Sequence, residues 1–221
     1  MQLLSDISGP DRAYSAAPAA VDWLMRALSL AAGLFAILVL VVSANASAAP
    51  TSAQFAEIEK ASHIAEGSAQ PKSTLYVFFD ANCWYCNLTW KALQYYEKAG
   101  LQVRWIPVAY QKPSSTTKAA AIMEARDAAA ALRENELKYR VENYDGGIVP
   151  LGKPRPETLK ALEANLALMK KIGVPATPAV VWRDAKGVIG FRNAVPKLSE
   201  LPAITGLPAQ RIEDRDLQQF K

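Results

Sequence analysis

Thr74-Leu75-Tyr76-Val77-Phe78-Phe79-Asp80-Ala81-Asn82-Cys83-Trp84-Tyr85-Cys86 is the stretch on which the fold turns. Its first six residues, up to Asp80, are aromatic, β-branched or aliphatic. The run is too short for a helix and reads as a buried central strand. Asp80-Ala81-Asn82 supplies turn and cap chemistry. From Cys83 to Lys98 the apolar residues Leu88, Ala92, Leu93 and Tyr96 recur at helical spacing, and Gly100 ends the pattern. Strand, tight turn and helix therefore place a Cys-x-x-Cys pair on the first helical turn. There the unpaired N–H groups and the positive end of the helix dipole favour a thiolate. A thiol with a free pKa of ~8.5 falls toward or below neutrality at such a position. Cys83, further out on the turn, is the expected exposed nucleophile. Cys86, one turn deeper, is the expected resolving thiol.

Cys83 and Cys86 are the only two cysteines of the 221 residues. A disulfide used as a staple closes a long loop, and this pair closes a very short one, so chemistry explains it better than stability. Zinc wants about four ligands, and the chain adds only His63 to the two cysteines. A haem-attachment motif needs histidine after the second cysteine, where Asn87 stands. No metal is expected, and His63 reads as an ordinary histidine in a helix.

Working outward, 101–108 (LQVRWIPV) alternates as a second strand, which makes a strand–helix–strand unit with parallel pairing. Upstream, 52–66 reads as an amphipathic helix ended by Gly67, with a loop over 67–73. Downstream, 115–140 is alanine-rich and helical, 143–156 is a loop rich in glycine and proline, and 157–172 is helical. Gly173-Val174-Pro175-Ala176-Thr177-Pro178 breaks that helix. Residues 179–183 and 188–192 form a hairpin around Asp184-Ala185-Lys186-Gly187, 196–205 a last helix, and 210–221 a charged, loosely held tail.

Residues 27–42 are an uncharged apolar run followed by Ser43-Ala44-Asn45-Ala46-Ser47-Ala48, which offers small-x-small cleavage points after Ala46 or Ala48. Residues 1–48 are therefore the expected signal-peptide region. Met25-Arg26 is a better start than Met1, because residues 1–24 bring three Asp ahead of the apolar run. An uncleaved segment would anchor the domain in the membrane instead. Either way the folded part is exported, where disulfide chemistry is permitted. The formal charge of +4 becomes +5 once 1–46 are removed, with basic and acidic residues interspersed. There is no basic stripe, so no nucleic acid is expected as a partner. The expected organisation is a linker helix and loop over 49–72, a catalytic domain over 73–208 with a helical insertion at about 114–172, and the tail over 209–221.

Strand, Cys-x-x-Cys, helix, helical block and then Thr177-Pro178 before a hairpin resembles the thioredoxin superfamily. The resemblance implies an α/β thioredoxin fold with a helical insertion between the βαβ unit and the C-terminal β-hairpin and helix. It also implies a cis Pro178 packed against the active disulfide, in a loop that pairs with substrate backbone. Ile64-Ala65-Glu66-Gly67, Leu75-Tyr76-Val77-Phe78, Asp80, Cys83-x-Tyr85-Cys86 and Gly173-Val174-x-Ala176-Thr177-Pro178-Ala179 narrow it to the bacterial DsbC/DsbG group of periplasmic disulfide isomerases and reductases. By position, Cys83 and Cys86 would be catalytic and Thr177 and Pro178 would bind substrate. Trp84 and Tyr85 would tune redox poise; Trp84 departs from the small residue or proline usual there. The implied partners are exported proteins bearing disulfides or oxidised cysteines, and a membrane thiol reductase of the DsbD type as electron donor. No cofactor is implied beyond the Cys83–Cys86 disulfide. That group carries a dimerisation domain ahead of its linker helix, for which this chain has too few residues, so a monomer is expected. Reduction or isomerisation of disulfides, or reduction of sulfenic acids, is the leading expectation. A dithiol oxidase and a chaperone-like peptide-binding module are the alternatives.

Overall fold

A computed structural model describes residues 49–221; the signal-peptide expectation falls on residues outside them. Strands β2 (Ser73–Asp80) and β3 (Leu101–Val108) flank helix α2 (Trp84–Glu97). They pair in parallel, Phe78 opposite Ile106, as a strand–helix–strand crossover requires. Strand β4 (Ala179–Arg183) runs antiparallel to β2, and β5 (Ile189–Arg192) antiparallel to β4. With β1 (Ile64–Gly67) the sheet has five strands in the order β1-β3-β2-β4-β5.

The alternation of β2 assigns its residues to two cores. Leu75, Val77 and Phe79 face α2, packing with Leu88, Leu93 and Tyr96. Tyr76 and Phe78 face the opposite layer with Ile106, Val181 and Met169. That second layer is built by α1 (Ser52–Glu59) and α5 (Pro156–Lys171), which supply Phe55, Ile58 and Met169. Both faces of β2 are covered, and this is why its sequence is a continuous apolar run. Between β3 and β4 the chain inserts α3 (Ser115–Met123), α4 (Ala128–Leu137) and α5.

Four local expectations change. The helix expected over 52–66 stops at Glu59, and Ile64–Gly67 is an edge strand paired antiparallel with β3. Its period is two: Ile64 and Glu66 point inward, Ala65 and Gly67 outward. Gly67 has φ +95°, and a Cβ there would sit 2.4 Å from the Leu101 carbonyl oxygen, so a side chain is excluded. His63 consequently lies in the exposed connection between α1 and β1. The helical block over 115–140 is two helices, because Asp127 caps a new start by accepting from the Ala130 N–H at 2.9 Å. The helix expected over 196–205 is a short 3₁₀ turn (Leu198–Glu200) followed by α6 (Leu201–Thr205): Pro202 cannot continue a helix from the residues before it, and Gly206, at φ +66°, ends the one that follows. The tail is docked: Arg215–Phe220 forms a 3₁₀ turn whose Leu217 is fully buried in the α2-side core, and Asp216 pairs with Lys91 at 2.6 Å. Its charged residues are mostly exposed, while Leu217, with Ile212 and Phe220 packed beside the same core, holds it down.

Candidate active site

The end of β2 and the start of α2 are joined by a turn in which the Cys83 N–H donates to the Asp80 carbonyl at 2.9 Å. Cys83 is the N-cap of α2, with extended backbone (φ −85°, ψ 112°). Its Sγ takes the place of the usual oxygen cap, accepting from the Cys86 N–H at 3.2 Å, while its carbonyl accepts from Cys86 and Asn87. The Cys83 thiol is pushed below its ordinary value, chiefly by hydrogen bonding from the Cys86 thiol, against an opposing effect of burial; Thr177, the Cys86 N–H and Gln111 also lower it. Burial pushes the Cys86 thiol well up, and its neighbour Cys83 adds to the rise. The two thiols are thus split into one prone to ionise and one held protonated.

Cys83 is 2% exposed, not the open thiol that its place on the turn suggests. The reason is the loop before β4: the Thr177–Pro178 peptide is cis, and the Thr177 carbonyl accepts from the Cys83 thiol at 3.5 Å. Residues more than ninety positions apart in sequence therefore meet at one sulfur. The two inter-cysteine residues point to different hollows. Trp84 stacks at a tilt on Tyr139, ring centroids 5.5 Å apart, in a cleft of about 420 Å³ with Trp90, Arg133 and Glu136. Tyr85 is exposed and shares an apolar pocket of about 310 Å³ with Pro178, Val195 and Phe220. No group of three or more His, Cys, Asp and Glu that could hold a metal occurs among the described residues.

Around the cysteines lies polar machinery whose partners the sequence did not show. Asp80, 1% exposed, accepts four hydrogen bonds. Its Oδ1 takes the Asn82 N–H at 2.9 Å and the Ser115 hydroxyl at 2.8 Å. Its Oδ2 takes the N–H groups of Tyr110 at 2.9 Å and Gln111 at 3.0 Å. Four donors saturate a carboxylate, so Asp80 ties the cysteine turn to the loop after β3. That loop reaches the cis proline: Gln111 Nε2 donates to the Thr177 hydroxyl at 3.0 Å. Asn82 continues the network, its Oδ1 accepting from the Gly146 N–H at 3.1 Å and its carbonyl from the Tyr139 hydroxyl at 2.7 Å.

Glu136 of α4 is buried behind α2. Its carboxyl accepts from Asn87 Nδ2 at 2.9 Å and Asn135 Nδ2 at 3.0 Å. Burial outweighs those bonds and pushes it up to about 8, with the Cys83 and Glu66 charges adding to the rise. Glu66 of β1 is also buried and raised by desolvation, against hydrogen bonds from Trp90 and Trp105 and the charge of Arg133. Nothing in sequence marks Glu136, which sits in a helix of ordinary polar character. Glu66 carries one signal, a carboxylate at the inward phase of a strand.

A doubly covered sheet, a cysteine pair at the start of α2 and a cis proline over its first sulfur define a thioredoxin-like protein. The chain belongs to the thioredoxin-like domain family, whose model matches residues 58–196. Among individual proteins it is similar to the thiol:disulfide interchange protein DsbG of Pseudomonas aeruginosa, 30% identical over 151 residues, which are 68% of this chain and 57% of that protein. The DsbG of Escherichia coli K12 is 28% identical over 153 residues, 67% of this chain and 59% of that one. The chain thus spans less than two thirds of the curated relatives it matches. A solved periplasmic thioredoxin-like protein from Salmonella enterica serovar Typhimurium shares the fold at a TM-score of 0.56 and 22% identity, over 70% of this chain and 94% of that one.

Proposed function

We propose that this protein is an exported thiol–disulfide oxidoreductase that reduces or isomerises disulfides in other exported proteins, with Cys83 as nucleophile and Cys86 as resolving thiol. The observation that carries this is the placement of the pair: Cys83 is the N-cap of α2, its Sγ accepts from the Cys86 N–H at 3.2 Å and lies under the cis Thr177–Pro178 peptide, while Cys86 is buried in the core, an arrangement that lowers the first thiol and raises the second. In that arrangement the Cys83 thiolate attacks one sulfur of a substrate disulfide, forming a mixed disulfide and releasing the other sulfur as a thiolate. Cys86 then loses its proton and attacks Cys83, which closes the Cys83–Cys86 disulfide and frees the reduced substrate. When a second substrate thiol attacks instead, the substrate is reshuffled and Cys83 returns unchanged. Thr177 and Pro178 would bind the substrate backbone, and Trp84 and Tyr85 would tune the potential from its two flanks.

The similarity to DsbG supports this reading, as does the likeness in fold to a periplasmic protein. Among the described residues no helix is long and apolar enough to cross a membrane. The periplasm, a DsbD-type electron donor and a monomeric state belong to the same proposal, and light scattering that shows a stable dimer contradicts the last. Insulin reduction and recovery of scrambled ribonuclease test the activity. Both are expected from the unaltered chain and are lost in Cys83→Ala. Net oxidation of reduced ribonuclease without either activity would assign a dithiol oxidase instead. Peptide binding that persists with no turnover in the unaltered chain would assign a binding module.

A further inference from the structure

Thr177 has no free polar group. Its peptide N–H donates to the Tyr110 hydroxyl oxygen at 2.9 Å, and its side-chain hydroxyl lies 3.1 Å from the same oxygen. That side chain also accepts from Gln111 Nε2 at 3.0 Å, and its carbonyl accepts from the Cys83 thiol at 3.5 Å. On the other flank, Asn193 Nδ2 donates to the carbonyls of Ala176 at 2.5 Å and Pro178 at 3.0 Å. The loop is held from both sides.

An extended chain that pairs with residue 177 as an added strand needs its N–H and its C=O. The carbonyl is released by the chemistry itself, because Cys83 has no hydrogen to donate as a thiolate or in a mixed disulfide. The N–H is not released by any redox step. It comes free only if Tyr110 leaves, and the ring has somewhere to go: Tyr110 is 43% exposed, while its backbone is pinned to Asp80. Movement is therefore confined to the side chain.

We propose that Tyr110 is a gate on the substrate edge, its hydroxyl standing where a substrate backbone carbonyl must sit, so that extended polypeptide enters by displacing it. This rests on the reading of Thr177-Pro178 as the substrate loop. The gate selects by chemistry. A polypeptide disulfide brings a carbonyl that replaces the tyrosine oxygen, whereas a small disulfide without a peptide backbone reaches Cys83 with nothing to offer the N–H.

The test compares the full chain with Tyr110→Phe on two probes, an extended cystine-containing peptide and hydroxyethyl disulfide. In the variant the Thr177 N–H has lost its internal partner, so a peptide carbonyl gains a hydrogen bond instead of exchanging one. The KM for the peptide is expected to fall roughly three- to tenfold. That fall exceeds any change for hydroxyethyl disulfide, and kcat moves less than KM. No change, an equal change for both probes, or a rise in the peptide KM overturns the gate. An unaltered chain that reduces neither probe overturns the functional reading itself, a result distinct from these. As a second measurement, Cys86→Ser trapped as a mixed disulfide with the peptide is expected to lose the Tyr110–Thr177 contact by NMR while the Thr177 amide stays protected from exchange. Retention of that contact overturns the gate independently.

Discussion

Glu136 makes the sharpest quantitative prediction. Its carboxyl ordinarily titrates at 4.5 and is raised to about 8 by burial. At ~1.36 kcal/mol per pKa unit, that difference makes the folded state lose about 5 kcal/mol of stability in all as the group ionises. The sign follows from proton counts: between the two values the folded protein holds a proton that the unfolded chain has released. The contribution is full below pH 4.5 and falls as pH rises through 8. About 3.5 kcal/mol of the loss lies between pH 5 and pH 8, at the linkage slope of ~1.4 kcal/mol per pH unit. Glu136→Gln removes this dependence. It also leaves one of the two asparagine donors without an acceptor oxygen, a pH-independent cost of about 1 kcal/mol. The two effects separate cleanly, one as a slope and one as an offset. Urea unfolding followed by tryptophan fluorescence from pH 5 to 8, under reducing conditions, measures both, read as the difference between the two proteins so that the titrations they share cancel. Wild-type Glu136 is expected to lose stability steeply across the range relative to the glutamine variant. Parallel curves would refute the reasoning, since they would mean that the carboxyl is ionised in the fold at every pH tested.

Other substitutions test the scaffold. Asp80→Asn places an amide against donors that the carboxylate now accepts, and it is expected to destabilise by about 2–4 kcal/mol and to depress disulfide reductase activity; denaturant midpoints and insulin reduction read the two effects. Gly146→Ala would put a Cβ 2.1 Å from the Ala81 carbonyl oxygen. The loop there must give way, at an expected cost of about 1–3 kcal/mol by urea unfolding, and wild-type stability would show that the close approach is unimportant. Leu217→Ala is expected to cost about 2–4 kcal/mol if the tail is part of the core, and a loss within error would return it to a loose end.

The central fold was legible wherever one residue type had one physical use. The run Leu75–Phe79 could only be a strand covered on both faces, and Gly100 after an apolar helix could only end it. The Cys83/Cys86 spacing fixed the helix start. The edge strand was hidden because Ile64–Gly67 follows a helix with no proline between them, and its pairing depends on β3, some forty residues away. The burial of Cys83 was hidden for a similar reason: the atom that lies over it belongs to Thr177. Asp80 was visible as a charge closing an apolar run, but three of its four donors come from Tyr110, Gln111 and Ser115, some thirty positions further on. Tyr110, Gln111 and Asn193 carry no local pattern, because each acts through contacts to distant residues that only the closed fold creates.

Whether Cys83 and Cys86 are a catalytic pair is decided by their redox equilibrium against glutathione, with the thiol and disulfide forms trapped and counted by mass. A catalytic pair is expected to exchange with the buffer at a potential of about −270 to −120 mV, where dithiol oxidoreductases work. A potential below about −300 mV, the range of inert structural disulfides, would contradict it.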